Sequence, residues 1–222
     1  MISVAIDGPA GAGKSTIAKT LAKKLSYIYV DTGALYRAIA LSVIQGRIPP
    51  DNETEIAEML QHTEIELKFI DGVQRVLLNG EDVSGNIRTS EVSMMASKTS
   101  SLPIVRSFLL DLQRNIAKKN NILMDGRDIG TVVLPNAQVK IFLTASPECR
   151  AKRRYQDYLN AGNTSECYEE ILKDIIQRDY QDSHRTTAPL KQADDAILVD
   201  TSEDTLEESV EKIMAIIQAR LS

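Results

Sequence analysis

Gly8-Pro9-Ala10-Gly11-Ala12-Gly13-Lys14-Ser15 follows the apolar run Ile2 to Ile6 and opens an amphipathic stretch that reaches about Leu25. It satisfies the pattern G-x-x-x-x-G-K-[ST] at every fixed position, and the strand before it and the helix after it supply the context that a phosphate-binding loop, or P-loop, requires. The glycines let successive backbone N–H groups curl around phosphate oxygens with no Cβ in the way. Lys14 adds a point charge and Ser15 a hydroxyl suited to Mg²⁺. The helix that begins there aims the positive end of its dipole at the same phosphates. Gly8 through Thr16 are therefore expected to cradle a nucleoside triphosphate. A purely structural glycine-rich turn is the competing reading, and the flanking strand and helix weigh against it.

The chain has 222 residues, enough for one good core with inserted segments and short for two independent enzymatic domains. Its net charge of −5 argues against a general nucleic-acid binder, so any basic groove must be local. Cys149 and Cys167 fit no metal-ligand spacing and are too few for a disulfide framework, which points to a reducing compartment, the cytoplasm. The chain enters a strand without a charged leader, and no apolar run is long enough to span a bilayer. Neither a membrane nor a nucleic acid is expected as a partner.

Outward from the P-loop, the apolar run Tyr27 to Val30 ends at Asp31. Strand, helix and strand at this spacing imply a right-handed βαβ unit, with ligands beyond the carboxyl ends of the strands, so Asp31 and Thr32 face the phosphate site. A helix from Ala34 carries Leu35, Ile39 and Val43 on one stripe and stops at Gly46, where a left-handed cap is expected. Asn52 with Glu55 resembles a capping box for a short helix through Leu60. Two β-like runs follow, Glu64 to Ile70 and Val73 to Leu78, joined at Asp71-Gly72, with a third short segment near Val83. A helical stretch, Glu91 to Ser100, completes what reads as an insert. The alternative is a hairpin that only covers a sheet edge.

Pro103 opens a helix with Val105, Leu109, Leu112 and Ile116 on its apolar side and Arg106 beside them. The strand Ile122 to Asp125 ends in an acid placed as a Walker-B carboxylate for the Mg²⁺ water shell, and Arg127 and Asp128 follow at once. Paired surface ions are the other reading of those two. Val139 to Leu143 is the next strand, followed by a helix from Pro147 with Arg150, Lys152, Arg153 and Arg154. Asn160, Gly162, Asn163, Thr164 and Ser165 then form a polar loop before a second helix with Tyr168, Ile171, Leu172, Ile175 and Ile176 on its apolar side. Helix, loop and helix could act as a lid that brings arginines onto transferring phosphates, against the plainer reading of a solvated face. Arg178, Asp182 and Arg185 share another face if that second helix reaches so far, or Arg178 and Asp182 form an i,i+4 surface pair. Ala196 to Val199 gives the last strand, and Thr205 with Glu208 a capping box for the final helix.

The expected fold is α/β of the P-loop NTPase kind, a five-stranded parallel sheet flanked by helices, with an inserted subdomain bearing a small antiparallel sheet and a helical lid. The core would span residues 1–30, 100–147 and 188–222, the insert 31–99 and the lid 148–187. A switch GTPase would carry an N-K-x-D-like guanine reader, absent here, and a motor would be longer. Arg37, Arg106, Arg127, Arg178 and Arg185 instead suit a second anionic substrate facing the triphosphate, hence phosphoryl transfer.

Asp31 to Arg37 (D-T-G-A-L-Y-R), Gly80 to Ser84 continuing to Ile87-Arg88-Thr89, Gly126 to Thr131 (G-R-D-I-G-T) and Arg185 to Leu190 (R-T-T-A-P-L) together resemble the bacterial cytidylate kinase family over nearly the whole chain. The resemblance implies transfer of the γ-phosphoryl group of ATP to CMP or dCMP with Mg²⁺, in a monomer. By matching positions it implies that Thr32, Arg37, Arg127 and Arg185 hold the CMP phosphate region. Ser97, Arg106 and Asp128 would read cytosine, Arg178 and Asp182 would meet the ribose, and Tyr36 would line the pocket. Lys14, Arg127, Arg153, Arg154 and Arg185 are the expected catalytic groups, and Ser15 with Asp125 would hold Mg²⁺ through water. Thr32 stands where serine is also common, and Ser15-Thr16 replaces the Gly-Thr of some members; both keep a hydroxyl. A kinase of another small acceptor, such as UMP or AMP, and a nucleotide-gated binding protein remain as alternatives.

Overall fold

The computed structural model describes residues 1–70, 73–160, 162 and 167–221. The first half of the chain runs β1 (Ser3–Asp7), α1 (Lys14–Leu25), β2 (Ile28–Asp31), α2 (Thr32–Gln45), α3 (Glu53–Gln61), β3 (Ile65–Ile70), β4 (Val73–Leu78), β5 (Glu81–Asp82), a 3₁₀ turn (Asn86–Arg88) and α4 (Ser90–Thr99). The second half runs α5 (Pro103–Lys119), β6 (Ile122–Gly126), a π-helical turn (Ile129–Val133), β7 (Val139–Thr144), α6 (Pro147–Asn160), α7 (Tyr168–His184), β8 (Ile197–Asp200) and α8 (Leu206–Leu221).

Five strands form one parallel sheet in the order β2-β6-β1-β7-β8. Val4, Ala5 and Ile6 of the central strand have no exposed surface, as expected of a strand covered on both faces. Val4 and Ile6 pack with Ile17 and Leu21 of α1 and Ile213 and Ile217 of α8, while Ala5 packs with Met124 and Val30 toward Ala117 of α5. The connection after β1 leaves toward β2 and the one after β7 leaves toward β8, on the opposite side. The chain thus parts at the carboxyl end of β1, where open α/β sheets bind ligands.

The expected insert contains a second core. Leu35 and Ile39 of α2, Ile56 of α3, Ile65 and Val76 of the hairpin, Val83, Ile87 and Val92 pack together, and Val105 and Leu109 of α5 complete the cluster. The antiparallel sheet β3-β4-β5 is therefore more than an edge cover. It also touches the edge strand: the Asp31 N–H donates to Gln74 Oε1 (2.9 Å), and Gln74 Nε2 donates to the Asp31 carbonyl (3.2 Å). The expected Asp71-Gly72 turn lies outside the described residues, as do Asn163, Thr164 and Ser165.

Three local expectations need correction. Helix α2 begins at Thr32 rather than Ala34, because the Asp31 side chain accepts from Ala34 N–H and caps the helix earlier. Gly46 is right-handed (φ −73°), and the left-handed residue is Arg47 (φ 54°). The Ile48 N–H bonds Val43 O and the Arg47 N–H bonds Ile44 O, a Schellman ending in which Ile48 folds so close that a Cβ on Gly46 would lie 3.2 Å from it. Glycine serves close approach there. Third, Ile176 is half exposed, and the apolar packing of α7 on α6 is a small cluster around Ala151, Ile171 and Ile175.

Candidate active site

The P-loop geometry begins with a constraint from the sheet: at Gly8 (φ 147°) a Cβ would lie 1.9 Å from the Leu143 carbonyl oxygen, so only glycine lets the chain leave β1 in this direction. Gly13 caps α1 with φ 83° and no side-chain acceptor, leaving first-turn N–H groups for an anion. Ala10, Gly11, Gly13, Lys14, Ser15 and Thr16 line a cavity of ≈ 700 Å³. Gly8, Pro9 and Ala12 support the loop from beneath: Ala12 belongs to the core, and the Pro9 carbonyl accepts from Lys14 Nζ at 2.7 Å. Lys14 is buried, and burial, then the nearby Arg127 charge, pulls its pKa well below the ordinary value, with Asp125, Asp7 and Asp182 opposing.

Asp125 at the end of β6 accepts from Ser15 Oγ (2.8 Å) and from the Tyr29 hydroxyl (3.0 Å). Burial, and next the neighbouring Asp31 charge, raises it to about 6. These are hard oxygen donors, and among the described residues no cluster of three or more His, Cys, Asp or Glu could cage a metal. That donor set fits Mg²⁺, which keeps several waters and leans on substrate phosphates with one or two carboxylates.

The acceptor-side candidates come from five places: Thr32, Tyr36 and Arg37 from α2, Ser97 from α4, Arg106 from α5, Arg127 and Asp128 after β6, and Arg178, Asp182 and Arg185 on and just after α7. All ten line the same cavity as the P-loop. Thr32 Oγ1 donates to the Asp125 carbonyl (2.7 Å), joining the start of α2 to the end of β6. Arg37 pairs with Asp31 (2.9 Å). Arg106 pairs with Asp128, donates from Nη1 to Ser100 O (3.0 Å) and lies over the Tyr36 ring at 5.4 Å. The Tyr36 hydroxyl is raised to about 12, chiefly by burial.

The pairing of Asp182 goes against the alternative of a surface ion pair. Its partner is Arg127 (3.0 Å) rather than Arg178 in a surface pair, because that face of α7 turns inward onto the end of β6. Burial pushes the Asp182 carboxyl up, but Arg127, Arg178 and Arg185 outweigh it and hold the carboxyl below its usual range. Arg185 lies one residue beyond the helix, with 3.8 Å to Asp182 and 3.9 Å to Asp128. Half-buried Arg178 drops to about 10, through loss of hydration first and the Arg127 charge second. Arg37 Nε, Arg178 Nε and Arg185 Nη2 are buried without a hydrogen-bond partner, a state that costs free energy unless an anion supplies the acceptors.

The arginine run of α6 divides. Arg150 is almost fully buried and donates to Ala145 O (2.8 Å), Ala10 O (3.1 Å) and Asp179 (2.6 Å), so it braces the P-loop against α7 and is no solvated residue. Arg153 Nη2 donates to Thr201 O (2.6 Å), and Arg154 lies 5.9 Å over Tyr158; both also line the cavity. Sequence reasoning passed over Asp7, Tyr29, Gln74 and Asp179. Asp7 alone carried a signal, since it is a strand-ending acid like Asp125.

Comparison with known proteins gives the family and the fold. The family profile described as Cytidylate kinase matches residues 4–219. Curated cytidylate kinases include one from Caldicellulosiruptor saccharolyticus, 50% identical over 96% of this chain and 94% of its own. Another, from Lactobacillus johnsonii, is 49% identical over 99% and 95% of the two chains. A solved gluconokinase from Sinorhizobium meliloti matches at TM-score 0.50 and 15% identity over 99% of this chain and 93% of that one. An uncharacterized protein from Eubacterium ventriosum matches at TM-score 0.53 and 12% identity over 99% of both chains. At those identities the two structures speak for the fold, whereas the profile and the curated relatives place the chain in the cytidylate kinase family.

Proposed function

We propose that the protein transfers the γ-phosphoryl group of ATP to CMP or dCMP, releasing ADP and CDP or dCDP. The observation that supports this most directly is one cavity lined both by the P-loop and by Arg37, Arg178 and Arg185, each with a buried guanidinium nitrogen that has no hydrogen-bond partner. The cavity lining carries more basic than acidic side chains although the whole chain has a net charge of −5, so the cation is concentrated where two anions must meet. The segments 31–99 and 148–187 are read as the monophosphate-binding insert and the lid. No helix among the described residues is long and apolar enough to cross a membrane. We take the protein to act in the cytoplasm, the expectation raised by its two free cysteines, and as a monomer on free nucleotides, the expectation stated with the family resemblance.

A CMP phosphate oxygen is already an anionic nucleophile, so no general base is needed and catalysis rests on in-line positioning and charge neutralisation. Lys14 and the P-loop N–H groups hold the triphosphate, and Arg37, Arg127, Arg178 and Arg185 hold the acceptor and offset the charge of the transferring group. Ser15 and Asp125 would hold Mg²⁺ through water, and the ion would neutralise β- and γ-phosphate charge. Arg153 and Arg154 join the donor end as the lid closes and excludes water, which would otherwise turn transfer into hydrolysis. For the base, the Asp128 carboxylate suits the amino donor of cytosine and the Arg106 guanidinium suits its N3 and O2 acceptors. The ion pair between them fixes both side chains before the base arrives. An acceptor panel of CMP, dCMP, UMP and AMP with ATP and Mg²⁺ tests the reading. ADP release should depend on acceptor and be fastest with CMP or dCMP; release indifferent to acceptor, or a preference for AMP, would overturn it.

A further inference from the structure

Asp7 ends β1, directly before the P-loop, yet its carboxylate serves the other end of the site. Ile129 N–H donates to Oδ1 at 2.8 Å and Gly130 N–H donates to Oδ2 at 2.7 Å. These N–H groups open the π-helical turn Ile129–Val133, and the first N–H groups of a helical turn have no partner within it. At its far end, Arg114 of α5 donates from Nε to Val133 O (3.1 Å) and from Nη2 to Val132 O (3.0 Å). The turn's own bonds run from Val132 N–H (2.9 Å) and Val133 N–H (3.1 Å) back to the Asp128 carbonyl. Asp128 is thus the residue on which the clamped turn is anchored, with Arg127 just before it.

The fit is close. A Cβ on Gly130 would lie 3.3 Å from Asp7 Oδ2 and 3.1 Å from Lys140 Cδ, so the approach of carboxylate to backbone depends on glycine. Asp7 is 5% exposed, and a carboxylate buried that deeply is costly unless hydrogen-bonded. Both of its oxygens are taken by the turn, a geometry that suits a support rather than a ligand for phosphate.

We propose that Asp7 is a positioning residue of the acceptor site: acting through the backbone of Ile129 and Gly130, and opposed by Arg114, it sets where Asp128 and Arg127 present their side chains to CMP. The proposal rests on the reading that Asp128 and Arg127 serve the acceptor. It makes one strand end common to both substrates, with the P-loop leaving along the chain and the acceptor turn held from the side.

Two variants test it. Asp7→Asn keeps the shape but sets an NH₂ group against one of the two N–H donors; Arg114→Met releases the other end while keeping an apolar stem. Calorimetric binding of CMP and of Mg²⁺-ATP, with kcat/KM for CMP and UMP, would be compared with the parent. CMP binding should weaken about tenfold in Asp7→Asn and about threefold in Arg114→Met, with ATP affinity within about twofold of the parent in both. The CMP-over-UMP preference should narrow in both. Equal weakening of CMP and ATP, or parental CMP affinity in both variants, overturns the proposal. If Asp7→Asn does not fold, Arg114→Met, at a half-buried residue, decides the question by the same readouts. A parent protein that does not bind CMP breaks the functional reading itself, separately from either variant.

Discussion

The two ends of the cavity are built on different principles. In the proposed reading the donor end draws on one contiguous stretch, Gly8 to Thr16, whose backbone is shaped by the left-handed φ angles of its glycines and by the sheet behind it. At the acceptor end the groups are side chains from α2, α4, α5, the end of β6 and α7, held by one another: Arg37 by Asp31, Arg106 by Asp128, and Arg127 by Asp182. A backbone cradle recognises what every nucleoside triphosphate shares. A mesh of paired side chains can distinguish one base from another, because Arg106 and Asp128 are buried and a mismatch there leaves a polar atom unsatisfied. In the proposed reading, generic and selective binding differ in which atoms perform them.

If that division holds, damage to one end should leave the other readable. Lys14→Ala should lower turnover about a thousandfold while CMP affinity stays near the parent, since Lys14 reaches back to the Pro9 carbonyl within the P-loop and, in the proposed reading, serves the developing charge. Single-turnover kinetics with CMP titration checks it, and near-parental turnover would break the donor half of the comparison. Asp128→Asn should narrow the CMP-over-UMP preference in kcat/KM by about 1–3 kcal/mol, roughly fivefold to 160-fold, chiefly by losing CMP. An unchanged ratio would mean that Asp128 does not read the base. The smallest effect concerns the residue both ends share. Burial is the largest influence on Asp7 and raises it from 3.8 to about 6, against the lowering effect of its two N–H donors. Between those values the folded protein keeps a proton that the unfolded chain has released, so this group withdraws stability as pH rises through the window from 3.8 to about 6. Melting temperatures of Asp7→Asn relative to the parent should therefore drift upward across that window. A difference independent of pH would show that Asp7 does not titrate there.

What could be read from the chain follows the same division. The P-loop was legible because its chemistry is local: glycine, lysine and serine at fixed spacing dictate backbone shape and charge without reference to the rest of the fold. The parallel sheet was legible too, since apolar runs such as Val139 to Leu143 and Ile122 to Asp125 are explained only by burial on both faces. Helix ends with side-chain caps, Asn52 and Thr205 with Glu208, fell where the pattern put them. The left-handed cap did not, because Arg47 takes that conformation while Gly46 yields space to Ile48, a choice made by side-chain packing.

At the acceptor end the resemblance of its motifs proposed the residues, and the sequence had no means of pairing them. Which carboxylate meets Arg127 depends on how α7 lies against the end of β6, and that depends on contacts between residues 55 positions apart. Arg150 looked like one of several helix-face cations until the fold closed Asp179, Ala145 and the P-loop around it. Asp7 stood beside the most readable motif in the chain and gave no sign of its partners, Ile129 and Gly130, more than a hundred residues away. The sequence by itself determined what short-range sterics and burial dictate: the phosphate loop, the strands and the amphipathic helices. Only the tertiary structure decided which charges pair and which buried nitrogens are left for a ligand, because those energies exist only once distant segments share a place from which water has been excluded.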